Sequence, residues 1–286
     1  MSVPDTQPTV LVLTALALEY AAVRAHVEER EERTHPGDGT IVELGRLPGT
    51  PWRIAAAELG EGARNSAALT ASLIGWLRPR AVLFVGVAGS LKDDIGLGDV
   101  VVGTKVYAIH GGKQTPEGLL VRPEAWSGSN ALVQAARSAV RDMPDVRAHF
   151  KPIATGDVVL ADDASGITRH IRRHYQDAAA IEMEGSGAAH AAHLGGVEAL
   201  VVRGVSDHAD AGKSADDGRG SQQRAAERAA VVACALLRKY RPRGGGPEHP
   251  AGAGEGGGGG DRAGDHIDFR GGTFHGPVTG KRTGDD

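Results

Sequence analysis

Two periodicities of apolar and polar positions organise the first 243 residues. A β-branched apolar run at 10–14 predicts a buried strand, and 17–32, which carries a charged face, predicts the helix after it. Stretches 40–47 and 52–59 predict a strand pair joined at Pro48-Gly49. A helix is predicted over 65–77, closing at Arg78-Pro79 because proline disfavours helical backbone in the residue before it. Stretch 81–87 is apolar nearly throughout, as in a strand covered on both faces. Strands at 99–109, 149–155, 178–181 and 197–202 then alternate with helices at 131–141, 165–174, 185–194 and 222–240. This βαβ-rich order predicts an α/β fold with one mixed or parallel sheet and helices on both faces. Ligands in such sheets sit at the strand C-terminal ends.

The pattern stops near Arg243. Residues 244–286 hold 16 of the 42 glycines, with four Lys/Arg against seven Asp/Glu. So much glycine cannot offset its backbone entropy by burial, so 242–264 reads as a flexible linker after a domain spanning 8–241. The end, 265–286, alternates again through His266-Ile267-Asp268-Phe269-Arg270 and Thr273-Phe274-His275. It reads as a frayed tail, as one short hairpin, or as a docking segment that adds a strand to a protein partner.

Composition narrows the function. With 32 basic and 36 acidic groups the chain carries a net charge of −4, which gives no footprint for a nucleic-acid polymer. One cysteine excludes an internal disulfide framework, and no apolar run reaches the ~20 residues of a membrane-spanning helix. A cytoplasmic protein is the expectation. Three motifs read as structural. Residues 98–105 end Gly-Thr-Lys, which misplaces the P-loop lysine. His170 and His174 flank two arginines and read as a solvated face rather than a metal pair. Cys234 lies in an apolar run and reads as a core thiol.

What remains is a set of acids after apolar strands: Glu19, then Glu182 and Glu184 around Met183, then Asp207 and Asp210 beside Ser206. They either converge in a crevice or cap helix N-termini, where carboxylates are favoured.

Four segments in unbroken order resemble the nucleoside phosphorylase family, most closely its 5′-methylthioadenosine/S-adenosylhomocysteine nucleosidase branch. They are Phe84-Val85-Gly86-Val87-Ala88-Gly89-Ser90-Leu91 with Gly96-Leu97-Gly98-Asp99 after it, Ala154-Thr155-Gly156-Asp157-Val158-Val159-Leu160, Ala180-Ile181-Glu182-Met183-Glu184-Gly185, and Arg203-Gly204-Val205-Ser206-Asp207-His208-Ala209-Asp210. The resemblance implies a three-layer sandwich whose central mixed sheet is partly barrel-like, and a homodimer acting on a small purine nucleoside without cofactor or metal. It implies that Glu19 activates a water, that Glu184 binds the ribose 2′-hydroxyl beside Met183, and that Asp207, oriented by Ser206, protonates purine N7. Glu182 falls with the substrate-binding residues. Gly86, Ala88 and Gly89 let the backbone approach the sugar, and the Leu160 backbone meets the purine edge. Val159 stands where hydrolytic members often carry an aromatic ring, and Val87 where many carry a small hydroxyl residue.

The chemistry requires such parts. Breaking an N-glycosidic bond builds positive charge on the sugar and negative charge on the base, so an acid at the base and a carboxylate near the sugar lower the barrier. An aspartate that donates a proton at neutral pH needs burial or a nearby acid. Phosphorylases of the family hold phosphate with arginine and a hydroxyl residue, and Phe84 and Val87 at the corresponding positions cannot bind a dianion. Arg24 and Arg64 are the remaining candidates, read as a helix face and a helix start. Hydrolysis is therefore favoured over phosphorolysis, and a nucleotide-sensing or effector module of a bacterial defence system stays open as a different class. His110, Lys113 and Arg122 read as loop charge, or as groups that meet a 5′ substituent.

Overall fold

The computed structural model describes residues 7–116, 118–156, 165–209 and 220–241. The linker and tail expectations therefore lie outside the described residues, as do Asp210, Val159 and Leu160.

Strand β1 (Thr9–Thr14) lies between β4 (Arg53–Glu58) and β5 (Ala81–Ser90), parallel to both. Its unbroken apolar run is used on two sides: Val10 and Val12 enter one core, Leu11 and Leu13 the other. β5 divides in the same way, Leu83 and Val85 against Val82 and Phe84. Helices α1 (Ala17–Arg24), α3 (Asn130–Val140) and α6 (Ser221–Lys239) pack together on the first face. Helices α2 (Ala63–Leu77) and α5 (Gly185–Leu194) pack together on the second. Cys234 is a buried thiol of the first core, pushed by burial up to about 12.

Five strands close on themselves. In ring order they are β5, β12 (Glu198–Asp207), β6 (Val100–Ala108), β10 (Ala148–Thr155) and β11 (Ala180–Glu182), which returns antiparallel to β5. β1, β4, β3 (Ile41–Arg46) and β2 (Glu28–Thr34) extend the sheet outward from β5. This is the mixed, partly barrel-like sheet expected. Among the described residues no helix is long and apolar enough to cross a membrane.

The structure corrects one element and adds others. The helix expected over 17–32 ends at Arg24, and Glu28–Thr34 is an edge strand exposed at every position. Helix propensity is overridden because β3 has an open edge whose backbone groups need partners. Charge suits the covering strand, since it discourages further pairing. Arg46 of β3 joins Glu28 at 2.9 Å and Glu29 at 3.1 Å. Strands β7 (Gly112–Thr115), β8 (Gly118–Val121) and β9 (Glu124–Ser127) have no counterpart in the sequence reading. Lys113 lies exposed on β7, with His110 and Arg122 flanking the β7–β8 hairpin. The P-loop-like segment runs straight into β6 rather than into a helix. His170 of α4 (Gly166–His174) lies 3.1 Å from the Ile109 carbonyl oxygen through Nε2.

Candidate active site

β5 extends three residues beyond the predicted 81–87, and that extension assembles the site. Gly89 pairs with Ile181 of β11 on one side and with Asp207 of β12 on the other. Residues far apart in sequence, Glu182 to Glu184 and Ser206-Asp207, are thereby brought to the same strand end. The β12 register shifts between Val205 and Asp207, which places Ser206 in the irregular position. From the other side β1 delivers α1, whose third residue is Glu19.

Glu19, Glu184 and Asp207 line one cavity of about 160 Å³. Ala88, Gly89, Glu182, Met183 and Ser206 share its wall with Val87 and Ala209. Gly86 lies behind it. A Cβ on Gly86 would collide with the Arg203 guanidinium and the Glu19 carboxylate, so glycine there is a requirement of close approach. A Cβ on Gly89 would come within 2.8 Å of Asp207 Oδ1.

The acids are held firmly. Glu19 Oε2 accepts the backbone N–H groups of Ala15 at 2.8 Å and Leu16 at 3.0 Å, and Oε1 accepts that of Val87 at 2.7 Å. Asp207 Oδ1 accepts the Ala209 N–H at 2.8 Å, and Oδ2 accepts the Ser206 hydroxyl at 2.8 Å. Glu184 Oε1 accepts the Gly62 N–H at 3.0 Å, tying the loop before α2 to the site.

Glu182 is saturated. It accepts the Thr155 hydroxyl, the Arg203 guanidinium, and the backbone N–H groups of Glu184 at 3.2 Å and Gly185 at 2.7 Å. It lies at the start of α5, where the helix dipole favours a carboxylate. Its oxygens are committed to shaping the turn that presents Met183 and Glu184.

Arg203 is the residue that sequence reasoning quoted within a motif and gave no role. It is fully buried, stacks on Phe84 at 4.5 Å, pairs with Glu182, and approaches Glu184 at 3.8 Å. Burial works against its charge, yet Glu182, Glu19 and Glu184 together raise it above the ordinary guanidinium range. A signal was available: a charge inside the apolar run Val201 to Val205 has to be paired when buried.

Burial also dominates Glu184. Arg203 opposes the effect while Glu182 and Glu19 add to it, and the carboxyl is pushed up to about 7. Arg24 and Arg64, the phosphate candidates, do not line the cavity: Arg24 pairs with Glu43 at 3.0 Å, and Arg64 lies in the first turn of α2.

A family model, that of the phosphorylase superfamily, matches residues 9–238. The chain belongs to the phosphorylase superfamily. Within it, the chain is 30% identical over 215 residues to the 5′-methylthioadenosine/S-adenosylhomocysteine nucleosidase of Chromohalobacter salexigens, covering 72% of this chain and 86% of that protein. It is 29% identical over 244 residues to the ATP nucleosidase Cap17 of Escherichia coli, where the match spans 72% of this chain and 47% of the relative. Among solved structures it resembles the Neisseria meningitidis 5′-methylthioadenosine/S-adenosylhomocysteine nucleosidase bound to methylthio-immucillin-A, with a TM-score of 0.71, 25% identity, and coverage of 80% of this chain and 98% of the other. This superfamily member thus builds its candidate site on the closed strand ring.

Gly86→Ala tests the packing behind the cavity. The added methyl group has to displace Arg203 or Glu19, so a lower Tm by thermal melt and a tenfold or greater loss in turnover are expected. A variant that melts and turns over like the wild type would show that the site does not depend on this close approach.

Proposed function

We propose that this protein hydrolyses the N-glycosidic bond of a purine nucleoside of the 5′-methylthioadenosine/S-adenosylhomocysteine type. One observation carries the reading. Among the described residues the cavity is lined by five carboxylates, Glu19, Glu61, Glu182, Glu184 and Asp207, and by no lysine or arginine. Such a cavity suits a leaving base that takes a proton and a sugar that becomes cationic. It repels a phosphate dianion, which supports water as the nucleophile.

Each residue then has a task. Glu19, held by three backbone N–H groups, takes a proton from the water as its oxygen bonds to the anomeric carbon. Arg203 lies behind the cavity wall, with its guanidinium beside the Glu19 carboxylate. The carbon–nitrogen bond breaks with its electron pair passing to the base, and Asp207 hands its proton to N7. Glu184 holds the ribose 2′-hydroxyl and stabilises the cationic sugar electrostatically. The products are the free base and the sugar.

A second cavity shares Glu61 and Met183 with the first and continues along Gly62, Arg64 and Asn65. It adjoins the ribose end of the site, away from Asp207, and receives the 5′ substituent in this reading. The match to Cap17 favours a second reading, in which that substituent is a triphosphate. Base release from 5′-methylthioadenosine, S-adenosylhomocysteine and ATP, each with and without phosphate, separates the readings. The first expects thionucleoside turnover without phosphate. A strict phosphate requirement, or turnover of ATP alone, would reverse it. The proposal includes a cytoplasmic homodimer and a catalytic domain ending at Arg241. A chain truncated after Arg243 should hydrolyse at the full-length rate, and a dead truncation would displace that boundary.

A further inference from the structure

On the base side of the catalytic cavity, behind Asp207, lies a separate cavity of about 340 Å³. Lys92, Arg172 and His208 line it, with Asp93 as the single acid. Among the described residues neither Lys92 nor Arg172 has a carboxylate partner. The Lys92 ammonium gives one hydrogen bond to the Gln176 carbonyl oxygen at 2.5 Å. The Ser90 hydroxyl accepts the Lys92 N–H at 3.1 Å and donates to the Lys92 carbonyl oxygen at 2.8 Å, which fixes the turn that presents this side chain. Arg172 comes from α4, whose nine residues hold three arginines and two histidines and no acid. An arginine, a lysine and a histidine lining one hollow supply the chemistry that recognises a phosphate group.

The two cavities share a wall. Asp207 and Ala209 face the catalytic cavity, while His208 and Ala209 face the cationic one. Ala209 has a left-handed backbone at φ 52°, a conformation costly for a residue with a Cβ, and its N–H is the donor to Asp207 Oδ1. A ligand drawn onto His208 therefore acts on the segment that orients the catalytic acid. Phosphate here does not lie where phosphorolysis needs it, since a nucleophile must reach the sugar from the Glu19 side.

We propose that Lys92, Arg172 and His208 form a phosphate-group binding site, and that its occupancy alters turnover through the Ala209–Asp207 hydrogen bond. The binding half stands on these residues alone. The coupling half rests on Asp207 being the proton donor.

Calorimetric titration of the full-length protein with inorganic phosphate, at constant ionic strength, tests binding. Saturable binding is expected, at least tenfold weaker in Lys92→Ala and Arg172→Ala, with Tm and phosphate-free turnover unchanged in both. Arg172→Lys should recover part of the affinity. A ribose 5-phosphate arm distinguishes an organic phosphate from the free ion, according to which binds tighter. No saturable heat for either ligand, or equal affinity in wild type and variants, overturns the site. In wild type kcat should change saturably with phosphate, at the half-saturation found by calorimetry, and should not respond in the two alanine variants. Binding without any change in kcat overturns the coupling. Appearance of a sugar phosphate among the products would instead refute the hydrolytic function and leave the binding result standing.

Discussion

Replacing Asp207 with asparagine is expected to lower kcat by about 10²–10⁴-fold, the range for loss of a general acid, with Tm and the far-ultraviolet spectrum unchanged. Asparagine has nearly the same shape. Its amide oxygen can still accept the Ala209 N–H, and its amide nitrogen faces a Ser206 hydroxyl that can accept in turn. The variant therefore keeps these two hydrogen bonds while the transferable proton is lost. The chemistry supplies an internal control. A nucleoside methylated at N7 already carries positive charge on its base and needs no protonation to depart. Wild type and Asp207→Asn should cleave it at similar rates, although they differ by orders of magnitude on the unmethylated substrate. Near-normal turnover of the ordinary substrate by the variant would remove the acid role, and equal losses on both substrates would assign Asp207 to binding.

The second large effect is in the pH profile. Glu184 works as an anion, but burial, against the pull of Arg203, pushes its carboxyl up to about 7 in the unliganded protein. Because the raised value means that the folded protein keeps the proton up to neutrality, kcat/KM should fall as pH drops through about 7, approaching tenfold per unit below it. The linked stability change has the opposite sense. A folded value above the unfolded value of 4.5 gives a contribution that is complete below 4.5 and is lost as pH rises through about 7. Glu184→Gln removes both dependences at once. It should lose about 10²–10³-fold in kcat, the cost of deleting one preorganised electrostatic group, and should show a flatter stability profile between 4.5 and about 7. An acid limb that stays at the same pH in Glu184→Gln would assign that titration to another group.

Sequence pattern reached most of the fold because the core strands are apolar at nearly every position and proline or glycine punctuates the chain between them. It failed at 28–34, where a charged, helix-favouring stretch pairs with an open strand edge, and across 112–127, where short exposed strands carry little periodicity. The candidate site was legible as four ordered motifs, and nine of the positions named from them lie on or directly behind one cavity wall. Arg203 went unassigned because its meaning depends on carboxylates that approach it from other strands.

By itself the chain determined the apolar runs, the strand-end acids, and the glycines at 86 and 89 that leave room beside them. Those are local properties of residue type and order. Only the tertiary structure decided that β5 continues to Ser90 and closes the ring, since that depends on β11 and β12 finding the two sides of Gly89. It also decided which carboxylates are saturated and which face the cavity. Hydrogen bonds to backbone groups and to Arg203 settle that allotment, and the bonded residues are up to 122 positions apart along the chain.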